Sequence, residues 1–384
     1  MSRALSVAFV SPHAWPVIAG TDGSHFGGAE VQQVLLAREL VRLGCSVTFV
    51  VEVATVRGDR SDGGSFPSAR SASCELRVVG CPFRYFGGPN WRFFTDTPAL
   101  VATLRRVAAD VVVLKGPKAL LFGLGVHRRL FGGKLVKVVA DVTDISEPEP
   151  GLPAKLYTLG TRWMDAMVFQ TEDQRERAMK VRGLSGVVIP NMAHKLPDGV
   201  VPFGDKETDV LWVGSCARVK QPELLLALAA MLPDVRFEMI MAGCTEPAWR
   251  DELVERASTR PNLRFSGPMP YEEAFRRFSA ARVVVSTSQN EGFPNVFLQA
   301  WQLGIPVVSL RADPGAVIAD RGLGRVAGGS LEQMAAQIRE LLASDAERAA
   351  CGQRALAYVE ERHGAAAVAA GYLELFRTLV GAGA

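Results

Sequence analysis

The chain is expected to be an α/β protein built from two doubly wound parallel-sheet domains in tandem, and three observations predict this. Short apolar, β-branched runs alternate with helical stretches along nearly the whole sequence. The runs are continuously apolar rather than alternating, which marks strands buried on both faces and hence parallel sheets covered by helices. The alternation is interrupted by PNMAHKLPDGVVPFGDKETD (190–209), rich in Pro, Gly and charge and without period, which is the best linker candidate. At 384 residues, 48% hydrophobic and 22% charged, the chain is long enough for two cores.

In order, the first-half strands are expected at Leu5–Val10, Val47–Val53, Leu76–Val79, Val111–Leu114, Val136–Val139, Ala166–Phe169 and Val187–Ile189. A second series follows at Val210–Val213, Phe237–Ala242, Leu263–Phe265, Val283–Ser286 and Val307–Leu310. After the first strand, Gly27-Gly28 opens a helix whose apolar positions (Val31, Val34, Leu35, Leu40) recur at helical spacing until Gly44 ends it. RGDRSDGGSFPSARSAS (57–73) reads as a surface loop, and the Ala-rich end from about 345 to 379 reads as helices.

Composition excludes several classes. A net charge of +3 names no polyanionic partner, so no nucleic acid is expected. No apolar run reaches the roughly 18 residues that span a bilayer, and MSRALSVAFVSPHAW reads as a strand before a proline rather than a leader. Six cysteines without a CxxC, and five scattered histidines, suggest reduced thiols and no metal site, as in a cytoplasmic protein.

Ligands of doubly wound sheets bind beyond the carboxyl ends of the strands, so the strand-to-helix loops carry the chemistry. In SPHAWPVIAGTDGSHFGGAE the glycines 27 and 28 allow close backbone approach at a helix N-terminus, and His13 and His25 are acceptor-site candidates or structural residues. No GxGxxG is present, so a dinucleotide fingerprint is missing. In DVLWVGSCARVKQPELLLALAAMLP, Lys220 precedes Pro222, which suits the first turn of a helix. An ammonium beside a helix N-terminus makes a phosphate site, and Arg218 could add a second cation. In STSQNEGFPNVFLQAWQLGIPVVSL, Glu291 precedes a Gly-Phe-Pro turn and a helix expected over Asn295–Leu303. In ADVTDISEPEP, Asp141 and Asp144 either serve an acceptor or cap the next segment. The chain contains no DxD, the usual carboxylate pair for a sugar-nucleotide-bound metal.

With Gly27-Gly28-Ala29-Glu30, WVGSCARVKQPELL, NLRFSGPMPYEEAFRRFSAARVVVSTSQNEGFPNVFLQAWQLGIPVVSL and YVEERHGAAAVAAGYLELF, the sequence resembles the retaining glycosyltransferases of family 4. That resemblance implies the GT-B fold, two Rossmann-like domains facing a cleft. Residues 1–195 would hold the acceptor and 205–365 the donor, with a last helix at about 366–384 returning to the first domain. It implies transfer of a sugar from a UDP- or GDP-sugar to a saccharide or lipid-linked saccharide, without a cofactor, in polysaccharide or lipid-linked oligosaccharide assembly.

Residue by residue, the resemblance makes Lys220 the contact to the donor diphosphate and Gly27 and Gly28 the glycines that approach it. Glu291 is the first glutamate of the E-x7-E motif, whose loop (Gly292, Phe293, Pro294, Asn295) holds the donor sugar. Gln299 stands where the second glutamate usually takes the ribose hydroxyls. Ser215 stands where arginine usually follows the glycine of the phosphate strand. Two other readings share these features: a GT-B sugar-nucleotide epimerase and a non-catalytic nucleotide-sugar-binding partner. For VHRRLFGGKLVK (126–137), a peripheral contact with the inner face of the cell membrane is one reading, and a core helix end with solvated cations is the other.

Overall fold

The computed structural model describes residues 3–20, 27–53, 76–82, 92–140, 142–146, 151–200, 202–203, 206–244 and 246–381. The expected loop 57–73, His25 and Asp141 lie outside them. Among the described residues the chain divides into two compact units, one formed by 3–20, 27–192 and Ala365 onward, the other by Ala193–Gly364.

The first unit carries a seven-stranded sheet ordered β3-β2-β1-β4-β5-β6-β7. Its strands are β1 (Ser6–Val10), β2 (Ser46–Glu52), β3 (Arg77–Cys81), β4 (Val111–Lys115), β5 (Lys134–Val138), β6 (Ala166–Phe169) and β7 (Val187–Val188). All neighbours pair in parallel, with Val7 beside Val47 on one side and Val111 on the other. Successive strand residues point to opposite faces. Val7 and Phe9 join a core with the helices Gly28–Arg42 and Ala365–Gly381, while Ala8 and Val10 join another with Leu100, Leu104, Leu121 and Leu124. Both faces are dry, which is the physical origin of the continuous apolar runs.

The second unit holds a six-stranded sheet ordered β10-β9-β8-β11-β12-β13. Its strands are β8 (Thr208–Cys216), β9 (Phe237–Cys244), β10 (Leu263–Ser266), β11 (Ala281–Ser286), β12 (Val307–Ser309) and β13 (Gly324–Val326), again all parallel. Val210 and Trp212 face one core and Leu211 the other. Strand β13 is absent from the sequence expectation. It is short and carries Arg325, so it has no apolar run, and it exists through its pairing with β12. Glycine is required there, because a Cβ at Gly324 would lie 1.9 Å from the Val307 carbonyl oxygen.

The expectation of reduced thiols is corrected at one pair. Cys216 and Cys244 form a disulfide, with Cα atoms 4.7 Å apart. They are register partners at the carboxyl ends of β8 and β9, and a bulge between Ser215 and Cys216 brings them opposite each other. Nothing in a separation of 28 residues signals that pairing. Cys45, Cys81 and Cys351 are buried and outside any disulfide.

Candidate functional site

In the second sheet the connections turn back between β8 and β11, since the chain runs outward from β8 to β10 and then returns to β11. The loops after those two neighbouring strands diverge at the carboxyl edge, which makes the crevice that doubly wound sheets offer to ligands. The β8 loop forms a short 3-10 turn, Arg218–Lys220, followed by Gln221 in the left-handed region (φ 48°, ψ 54°). Pro222 then opens the helix Pro222–Met231, as its missing N–H and preset φ favour. The β11 loop runs from Thr287 to Pro294 and leads into the helix Asn295–Trp301.

Across these loops the Lys220 ammonium and the Glu291 carboxylate form an ion pair. Both side chains keep some exposure, 27% for Lys220 and 13% for Glu291, so the pair is reachable by a solute. The backbone supports it, because the Gln289 amide donates to the Val219 carbonyl at 2.9 Å. Two residues 71 positions apart, singled out separately in the sequence, are thus brought together.

Other predicted residues fall around the pair. Gly292, Phe293 and Pro294 are buried, and Asn295 and Gln299 are half-buried. Phe293 packs against His363 (4.9 Å between ring centroids) and edge-on to Trp301 (6.2 Å), so it anchors the loop in the core. Ser215 is exposed on the last turn-side residues of β8. Arg218 points elsewhere: its guanidinium binds Glu246 through two hydrogen bonds (3.2 and 2.7 Å) and lies 3.9 Å over the Trp249 ring. That guanidinium holds the Glu246 carboxyl below the usual carboxylate range.

In the first unit, Gly27 caps the helix Gly28–Arg42, and its amide donates to the Glu30 side chain at 3.0 Å. Burial raises the Glu30 carboxyl's pKa. His13 sits half-buried in the turn after β1. Asp144 is enclosed: it pairs with the buried Lys137 at 3.0 Å and accepts from the Ala140 amide at 2.7 Å. Sequence reasoning missed Lys115, at the carboxyl end of β4 where the first sheet's order reverses. Its ammonium is buried, donates to Asn191 Oδ1 at 2.7 Å, and borders a cavity of about 20 Å³ with Gln32 and Gln33. Burial lowers its pKa to about 7, and the neighbouring Lys137 charge acts the same way. A lysine closing the otherwise apolar run VVVLK was the available signal. Among the described residues, no three His, Cys, Asp or Glu side chains cluster as a metal site requires.

Comparison with known proteins locates this architecture. The model of the family "Glycosyl transferases group 1" matches residues 198–357, and that of the "Glycosyl transferase 4-like domain" matches residues 27–192. Among curated proteins, a D-inositol 3-phosphate glycosyltransferase from Mycobacterium sp. (strain KMS) is 32% identical over 108 residues, 27% of this chain and 25% of that protein. Its counterpart from Thermobifida fusca is 31% identical over 114 residues, 27% of this chain and 26% of its own length. The chain thus spans about a quarter of the length of these curated relatives. Among solved structures, the sucrose-phosphate synthase of Thermosynechococcus elongatus superposes with a TM-score of 0.78 at 19% identity, covering 98% of this chain and 100% of that one. Anabaena HepE in complex with UDP and glucose gives 0.72 at 16% identity, covering 97% and 100%. Both share the fold, two parallel-sheet α/β domains of the GT-B type.

Proposed function

The chain belongs to the group 1 glycosyl transferases, and from that premise we propose that it moves a sugar from a nucleoside diphosphate sugar to a hydroxyl acceptor with retention of anomeric configuration. The observation that carries this reading is the Lys220–Glu291 pair at the switch point of the second sheet. A diphosphate carries more negative charge than one carboxylate and competes for the Lys220 ammonium. Its arrival leaves Glu291 to accept hydrogen bonds from the hydroxyls of the attached sugar. Gln299, on the following helix, offers a donor and an acceptor to the ribose hydroxyls.

The chemical step then needs no protein nucleophile. The bond from the anomeric carbon to the diphosphate oxygen breaks, and the bond to the acceptor oxygen forms on the same face. The acceptor's proton passes to the departing diphosphate, whose growing charge Lys220 stabilises in place of a metal. The absence of a DxD in the sequence supports that division of labour.

A lipid-linked acceptor is the finer half of the proposal. It is supported by Leu130 (64% exposed) and Phe131 (44%) at the end of the helix Leu121–Phe131, beside Arg129. No helix among the described residues is long and apolar enough to cross a membrane. The test is product analysis by mass spectrometry, with UDP- and GDP-sugars against free and lipid-linked saccharides, and NMR of the new anomeric centre. A product with the donor's configuration is expected. Tight nucleotide-sugar binding with no transfer to any acceptor would overturn the catalytic reading in favour of a binding protein.

A further inference from the structure

The turn that carries Lys220 is held from below by a buried hydrogen-bond chain. The Trp212 indole N–H donates to the Thr287 hydroxyl at 2.9 Å, and that hydroxyl donates to the Lys220 carbonyl at 2.7 Å. Trp212 is 2% exposed and Thr287 0%. The direction of the chain is forced by its members. An indole nitrogen only donates and a carbonyl only accepts, so the hydroxyl between them has one arrangement that satisfies both.

Three residues on separate strand-and-loop segments therefore meet at one carbonyl: Trp212 within β8, Thr287 just after β11, and Lys220 on the turn between β8 and its helix. The turn needs such support. Gln221 follows in the left-handed region, which a non-glycine side chain adopts only where the surroundings over-determine it. With the Lys220 carbonyl clamped and the Gln289 amide on the Val219 carbonyl, the start of the Lys220 side chain is fixed toward Glu291.

We propose that Thr287 is the positioning residue for Lys220, acting through the one-way relay from the Trp212 indole to the Lys220 carbonyl, and that it thereby sets the affinity for a nucleoside diphosphate. The affinity half rests on the reading of Lys220 as the diphosphate contact. Thr287 touches no substrate. It works by denying the Lys220 turn alternative conformations, so that the ammonium is preorganised instead of recruited.

The alternative is a threonine that only fills the core. Valine has nearly the same shape but lacks the hydroxyl, and it would leave a buried indole N–H and a carbonyl unpaired. Serine keeps the relay and loses a methyl. Thr287→Val and Thr287→Ser would be compared in the wild-type and Lys220→Ala backgrounds, by amide hydrogen exchange across residues 217–222 and by calorimetric titration with UDP and GDP. Thr287→Val is expected to speed exchange of the Lys220 and Gln221 amides about tenfold and to raise the dissociation constant about tenfold, on the order of the cost of a lost hydrogen bond to the Lys220 carbonyl. Thr287→Ser is expected to stay within about twofold of wild type in both readouts. In the Lys220→Ala background, Thr287→Val is expected to change affinity less than about twofold, because the two act as a unit. Additive losses, or unchanged exchange in Thr287→Val, would overturn the relay. If Thr287→Val does not fold, Trp212→Phe removes the indole donor together with part of a buried ring, and unchanged exchange of the Lys220 and Gln221 amides there, in spite of both losses, overturns the relay equally. A wild-type protein that binds neither diphosphate overturns the functional reading and the affinity half with it, while the exchange rates still decide the relay.

Discussion

Lys220 and Glu291 neutralise each other across two loops, so each variant must be read through its partner. On the proposed reading, removing the ammonium in Lys220→Ala takes away the charge that would meet the leaving diphosphate. A fall in kcat on the order of 10²-fold is expected from initial rates, the scale of one preorganised electrostatic donor. Glu291→Gln keeps the shape but frees the ammonium from its carboxylate. Sugar transfer should drop while binding of the bare nucleoside diphosphate stays level or tightens, seen by titration calorimetry beside rates. Gln299→Ala should instead weaken the bare nucleotide by about 1 kcal/mol, for one neutral hydrogen bond, and Gln299→Glu should be tolerated. Arg218 is a candidate second cation for phosphate by sequence, yet its side chain is committed to Glu246 and Trp249. No local pattern signals that, since both partners come from beyond β9.

At the scale of elements, the helix Asp345–His363 packs with almost no clearance where it passes Gly304. A Cβ on Gly352 would lie 2.2 Å from the Gly304 carbonyl oxygen and 2.8 Å from the Phe203 ring. Backbone on one side cannot yield cheaply, so Gly352→Ala should destabilise the second unit by about 1–3 kcal/mol in urea unfolding. Nucleotide affinity measured where the variant remains folded should be unchanged. The strands β8 and β9 carry their own cross-link, Cys216–Cys244, just before the Lys220 turn. Alkylation of the denatured, unreduced protein should leave Cys216 and Cys244 unmodified in peptide maps, and prior reduction should expose both. Modification without reduction would show that the pair is not bonded.

Across the whole molecule, both units should gain stability as pH rises, each in its own window. His194 lies in the second unit, and burial lowers its pKa from the ordinary 6.5 to about 3. Between those values the unfolded chain takes up a proton that the folded one refuses. That contribution to stability is therefore complete above about pH 6.5 and is lost as pH falls toward 3. Lys115 lies in the first unit with its pKa lowered from 10.5 to about 7, chiefly by burial. Here the unfolded chain holds the extra proton between pH 7 and 10.5, so the first unit gains stability as pH rises through that window. Thermal unfolding from pH 3.5 to 6.5 should show a slope that His194→Gln flattens, and Lys115→Met should flatten the alkaline slope. Slopes identical to wild type in both variants would remove these residues from the account.

How much of this was readable in advance follows from where each interaction sits along the chain. The twelve expected strand positions were legible as short apolar, β-branched runs, a local property of the sequence that burial on both faces explains for most of them, though not for β7, where Val187 is exposed. The helix starts at Pro222 and beside Pro294 were legible for the same local reason, the fixed φ and missing N–H of proline. The residue types of the site were legible as loop chemistry and by resemblance. Tertiary structure alone decided what those residues do to one another. It placed Lys220 on Glu291, turned Arg218 away, enclosed Asp144 with Lys137, bonded Cys216 to Cys244 and clamped the Lys220 carbonyl through Thr287. All but the Lys137–Asp144 pair, which lies on one strand and the loop after it, are contacts between segments that meet only when the strand order reverses or neighbouring strands come into register. Period and composition report which way a residue faces, and strand order decides whom it meets.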